Sequence, residues 1–212
     1  LSSTLTSMRT ESEGDGAKRD LRKHDVERPL DDLEYDVYVG AKFLKKERWE
    51  LTTQSWEPIA LTGKATGVAH ANEYFSSGAE RVAYHCSEIV LENGTYKRAG
   101  QKLVAKESWH EDKLDKSFHK TFSRTQAEAE KFAVLFNQSL SGPPEWSIHF
   151  VPCVVYTVFD ARYKGNTAYV LAEPWLEGRF TKWNNNAGKV LSTKAATAAR
   201  KPSALGAIVE GD

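Results

Sequence analysis

The chain has 212 residues, 40% of them hydrophobic, with six Trp, eight Tyr and nine Phe, enough apolar side chain for one packed domain with flanks. Basic and acidic residues stand at 29 each and the formal net charge is zero, which argues against the large basic footprint of a nucleic-acid binder or of a protein drawn to anionic membrane. The longest apolar stretch, 150–159, is too short to cross a bilayer, and the polar N-terminus lacks the apolar core of a signal peptide.

Residues 1–33 contain no aromatic side chain and are rich in Ser, Thr, Glu, Lys, Arg and Asp. Such a segment buries too little apolar surface to offset its conformational entropy, so it is expected to be disordered. Residues 34–186 hold every aromatic residue and form the expected domain; 187–212, mostly Ala, Lys, Ser, Thr and Gly, read as a flexible tail or incomplete structure.

Within the domain, Ser76–Ala79 is a turn of small residues leading into an apolar, β-branched strand, Val82–Leu91. Asn93-Gly94 follows, then Lys102–Glu107, predicting a hairpin whose loop extends as far as Gly100. Phe118, Phe122, Thr125, Ala129, Phe132, Phe136 and Leu140 recur at steps of three and four, predicting a helix with these residues on one face. Asp115 or Ser117 caps its start and Gly142-Pro143-Pro144 ends it. A third strand is expected over 148–159, a turn at Lys164-Gly165-Asn166, and a fourth strand over 167–173. Cys86 and Cys153 are too few for a disulfide framework and lack the close spacing of a zinc pair; they read as buried thiols in a reducing, cytoplasmic compartment. No His-x-x-x-His spacing occurs, and His149, in an apolar run, reads as a core histidine.

The chemistry centres on Lys106. In a strand, Val104 and Lys106 share one face and Leu103 and Ala105 the other, so the ammonium leaves an apolar sheet, where it can offset phosphate charge. By itself the pentapeptide fits a solvated edge lysine as well. Gly78 and Ala79 let backbone amides approach a phosphate, and Arg81 adds a bidentate donor. Glu128, beside the apolar stripe of the helix, is the candidate ion-pair partner for Lys106, with Glu130 as the other acid of that stretch.

Four elements in order, Gly78-Ala-Glu-Arg81, Val104-Ala-Lys106, Gln126-Ala-Glu-Ala129 and the aromatic run from Glu173 through Trp175 and Trp183 to Gly188, resemble the α-kinases, the atypical Ser/Thr protein kinases. The resemblance covers about residues 55–190. It implies an α+β fold, a protein-kinase-like N-terminal lobe of twisted antiparallel sheet plus one long helix, followed by the start of a truncated C-terminal lobe. It implies ATP as ligand, held by Gly78, Ala79, Arg81, Lys106, Glu128, Glu173 and Leu176, the last two at the hinge that meets adenine. Asn184 and Asn186 read as turn and cap residues. The family's catalytic Asp, magnesium-binding groups and His/Cys zinc site are not recognisable here, so catalytic and metal-binding residues are expected to lie in a missing C-lobe. The expected activity is that of an α-type kinase present as an ATP-binding fragment. The other reading is a catalytically dead nucleotide- or protein-binding module. A protein substrate is the implied partner, and apolar surface around Trp175 and Trp183 is expected to drive self-association.

Overall fold

The computed structural model describes residues 18–23, 34–40, 42–140, 147–161 and 163–178. Strands β1 (Tyr35–Val39), β2 (Leu44–Glu50), β3 (Ser55–Pro58), β4 (Gly67–Ser77), β5 (Arg81–Glu92), β6 (Thr95–Ser108), β7 (Val154–Phe159) and β8 (Thr167–Pro174) form one sheet of order β1-β4-β5-β6-β8-β7-β2-β3. Every neighbouring pair in it is antiparallel. Among the described residues, one long helix, α1 (Lys116–Ser139), connects β6 to β7 and packs on one face. This is the α+β arrangement of twisted sheet and helix that the sequence implied.

The β5–β6 hairpin turns on Asn93 and Gly94, with φ of 52° and 78°. Both residues are left-handed, as a two-residue turn matching the strand twist requires. Glu92 pairs directly with Thr95, so residues 95–100, which the sequence left open as loop, are strand. The irregularity lies further along. Ser87 pairs with Lys102 and Ile89 with Arg98, so β6 carries extra residues and bulges there. Gly67 is required by close approach: a Cβ on it would lie 2.4 Å from the Tyr38 carbonyl oxygen of β1.

Strand alternation divides the sheet into two buried faces. Tyr38, Leu44, Val68, Val82, Tyr84, Leu103, Ala105, Tyr156, Val158, Val170 and Ala172 form the larger core. The opposite face, under α1, carries Val155 and Leu171 with Cys153, covered by Trp56, Phe122 and Tyr169. The paired faces of Lys106 and Leu103 thus follow the alternation expected from the sequence.

Asp115 caps α1, its Oδ1 accepting from the Phe118 amide at 3.0 Å. The buried residues of the helix, however, are His119, Ser123 and Ala133, and Phe132 is 65% exposed, with Phe136 and Leu135 also exposed. The predicted Phe stripe therefore faces inward only at its start. Small and polar side chains let the helix approach the sheet closely, leaving its larger apolar side chains outward. Gly142-Pro143-Pro144 lies outside the described residues.

The third strand is shorter than 148–159. Only β7 joins the sheet, and residues 147–153 run beside α1 instead. Helix side chains take over their backbone hydrogen bonds. Asn137 Nδ2 donates to the Ile148 carbonyl at 2.7 Å and its Oδ1 accepts from the Ile148 amide at 2.9 Å. Glu130 accepts from the Phe150 amide, and Gln126 donates to the Val151 carbonyl. With these groups satisfied, Ile148–Val151 needs no strand neighbour. His149 in this segment is exposed, 3.9 Å from Glu130, and is not a core residue.

The polar N-terminal segment also departs from expectation where it is described. Arg19 Nη1 reaches the buried Glu107 at 2.7 Å and the Ser108 carbonyl at 3.1 Å. The backbone bridges Lys18 to His110 and Lys23 to Tyr74. One guanidinium meeting a buried carboxylate, with Leu21 packed against the core, anchors a segment whose composition alone suggested none.

Candidate functional site

On the helix-facing side of the sheet, β5, β6 and β8 bring together Arg81, Lys106 and Glu173. Alternation explains each position. Arg81 opens β5 on the face that Ala83 and His85 share, Lys106 follows Val104 on β6, and Glu173 follows Leu171 on β8. Register then aligns them, with Ala83 opposite Lys106 and Val104 opposite Glu173.

The Lys106 ammonium forms a buried ion pair with Glu173 Oε2. Gln126 of α1 donates to the other oxygen, Oε1, at 3.0 Å. Burial pulls the Lys106 pKa below the ordinary lysine value, with Glu173 opposing. Arg81 lays its guanidinium 3.8 Å from the centroid of the Phe122 ring. Burial lowers its pKa as well, against the attraction of Glu173, and its Nη1 is buried without a hydrogen-bond partner. A buried guanidinium nitrogen left unmatched is costly unless an anion joins it.

The turn before Arg81 is tight. The Gly78 amide donates to the Arg81 carbonyl at 2.8 Å, and the Ala79 carbonyl lies 3.2 Å from His110 Nε2. Gly78 and Ala79 are exposed at the edge of the site. Leu176 is exposed just beyond β8, in the segment that leaves the sheet after the Trp175 amide donates to the Lys102 carbonyl at 2.9 Å. Asn184, Asn186 and Trp183 lie outside the described residues.

One expectation changes. Glu128 is half-buried on α1 and, among the described residues, makes no ion pair with Lys106. The helix meets the pair through Gln126, two residues before Glu128 and on a different side of the helix, and the acid comes from the strand end. The Glu173 side chain is directed at the lysine.

Sequence reasoning missed an aromatic floor beside the pair. Phe75 stacks on His85 at 4.5 Å between centroids, and Trp175 packs against both at 5.6 and 5.4 Å. Lys102 extends over the Trp175 ring. The available signal was period two: His85 lies two pairs of residues from Arg81, on the same face of β5. Cys86 and Cys153 are buried free thiols, and burial pushes both upward, to about 12 and about 11. Among the described residues, no group of three His, Cys, Asp or Glu side chains is placed to hold a metal ion, and no helix is long and apolar enough to cross a membrane.

Known proteins share this fold. Over 157 residues the chain is 28% identical to myosin heavy chain kinase C of Dictyostelium discoideum, a match covering 74% of this chain and 18% of that protein. The chain thus spans under a fifth of the curated relative it matches. The fold resembles an inactive α-kinase domain of myosin heavy chain kinase A solved in complex with ATP, with a TM-score of 0.56 and 17% identity, covering 76% of this chain and 68% of that one. It also resembles the domain of that kinase in complex with AMPPCP, with a TM-score of 0.56 and 20% identity over 71% and 66% of the two chains. The family model for the α-kinases matches residues 76–206, a span that takes in Arg81, Lys106, Gln126 and Glu173. The chain belongs to the α-kinase family.

Proposed function

We propose that this domain is the nucleotide-binding lobe of an α-type Ser/Thr protein kinase and binds ATP on the face shared by Arg81, Lys106 and Glu173. The observation that carries the reading is the buried, unmatched Arg81 Nη1 beside the Lys106–Glu173 pair. Two cations at one end of a strand face suit phosphate oxygens, and the Gly78–Ala79 turn borders them. The aromatic floor of Phe75, His85 and Trp175 lies on the same face and suits a purine ring, with the backbone from Glu173 to Leu176 at its side. Relatives solved with ATP and with AMPPCP support the same ligand.

In this reading the chain's own residues bind and orient. Lys106 and Arg81 hold phosphate charge, which places the transferable group, and Glu173 keeps the lysine in position. Magnesium would supply charge neutralisation when bound. The described residues hold no ligand cluster for magnesium or zinc, so no step is assigned to either. A protein hydroxyl is the proposed acceptor. The buried free thiols support a reducing, cytoplasmic setting, and the exposed Phe132, Leu135 and Phe136 support self-association.

Calorimetric titration of the native chain with magnesium ATP, beside Lys106→Ala and Arg81→Ala, tests the proposal. Binding weakened at least about tenfold by each substitution is expected, since each removes a charged phosphate partner. Binding that is indifferent to both, or no binding by the native chain, would sink it.

A further inference from the structure

The amide of Gln126 spends both of its N–H donors in one place. It donates to the Val151 carbonyl at 3.1 Å and to Glu173 Oε1 at 3.0 Å. Both partners are acceptors only, which fixes the orientation of the amide. Glu173 therefore has one oxygen held by α1 and the other facing Lys106. We infer that Gln126 is a positioning residue for Lys106: it locks the Glu173 carboxylate toward the ammonium and joins that pair to helix α1 and to the 147–153 segment. The inference rests on the nucleotide-binding reading for its functional meaning.

The residue type is specific to this task. A leucine is shorter and has no donor. A glutamate has the shape but donates only when protonated, and otherwise sets a second carboxylate against Glu173. An asparagine is shorter by one methylene and would not span the same two acceptors. Among the described residues, groups that bear on the charge of Lys106 include Glu173, Arg81 and the Cys153 thiol; Gln126 is neutral and acts through the geometry of Glu173. A movement of α1 would thus be felt at Lys106 without any helix residue touching the lysine by charge. Ordinary protein kinases place an acidic helix residue against the strand lysine; here the helix contributes an amide and the strand end contributes the acid.

The test uses the reactivity of the Lys106 amine toward dilute acetic anhydride as a function of pH, read by peptide mass spectrometry on the full chain. It needs no nucleotide. In Gln126→Leu the carboxylate is released, burial is less well opposed, and Lys106 is expected to react about three- to tenfold faster at pH 8, the scale of up to one pKa unit. In Gln126→Glu the added negative charge is expected to slow the reaction by a similar factor at pH 8. On acidification the two carboxyls share a proton, the hydrogen bond to Glu173 returns, and the profile approaches the native one. General loosening of the fold would move both variants the same way. Unchanged reactivity in Gln126→Leu, or shifts of the same sign in both, would overturn the inference. Should Gln126→Leu fail to fold, Gln126→Glu decides alone, and native reactivity at pH 8 is the overturning result. Failure of the native chain to bind ATP would defeat the nucleotide reading while leaving this measurement able to speak for or against Gln126.

Discussion

The Lys46–Glu88 pair and the Lys106–Glu173 pair lie on opposite faces of one sheet, and they differ in what surrounds the carboxylate. Glu88 is 2% exposed and receives Lys46 Nζ at 2.8 Å, the Tyr156 hydroxyl at 2.6 Å and the Thr62 amide at 2.5 Å. Burial opposes its charge, yet the hydrogen bonds from Lys46, Tyr156 and Thr62 prevail and hold its pKa below the usual carboxylate value. Glu173 has one lysine and one amide, and beside it stands Arg81 with a buried nitrogen unmatched. One cluster is complete as it stands and belongs to the architecture. In the other, among the described residues, Arg81 Nη1 has no partner, and on the proposed reading an anion completes it, which is how a binding site would differ from a brace made of the same residue types.

Removing the brace should cost the most. Glu88→Ala leaves Lys46, the Tyr156 hydroxyl and the Thr62 amide without their acceptor, and a loss of about 3–5 kcal/mol is expected in urea unfolding. A loss under about 1 kcal/mol would erase the distinction between the two clusters. Next comes His119, buried on the sheet-facing side of α1, with Nε2 2.9 Å from the Tyr169 carbonyl. Burial lowers its pKa to about 4 from 6.5. Between those values the unfolded chain takes up the proton more readily, so stability present above pH 6.5 drains away as pH falls toward 4. The loss should reach roughly 3 kcal/mol, and His119→Gln should flatten that part of the pH profile. An unaltered profile in the variant would assign the acid sensitivity elsewhere. The smallest effect on folding belongs to Phe132→Ser, at most about 0.5 kcal/mol, because that ring is already in solvent. The same change should reduce self-association in sedimentation; an unchanged association constant would show that this apolar face is not the contact.

What the sequence made legible follows from locality. The Asn93-Gly94 turn, the Asp115 cap and the face of β6 that carries Lys106 are set by residues a few positions apart. The partner of Lys106 is 67 residues away and is selected by the β6–β8 register, which no local pattern encodes. Reasoning by analogy to ordinary kinases pointed to Glu128 for that reason. Strands β1 and β3 left weak signals because they are short, and β2 because five of its seven residues are charged and only Leu44 and Trp49 are buried. Residues 148–153 misled in the other direction. Their composition favours a strand, but side chains of α1 supply the hydrogen bonds a neighbouring strand would have given.

The strand order has a consequence for the timing of synthesis. Strands β4, β5 and β6 are successive neighbours and can pair once residue 108 has left the ribosome. Strand β2 has only β3 beside it until β7 exists, and Glu47 and Thr157 at that seam are 110 residues apart in the chain. The nascent β2–β3 hairpin, bearing Trp49 and Trp56 in edge-to-face contact, must therefore wait through the making of the hairpin, the helix and the crossing segment before its open edge is sealed.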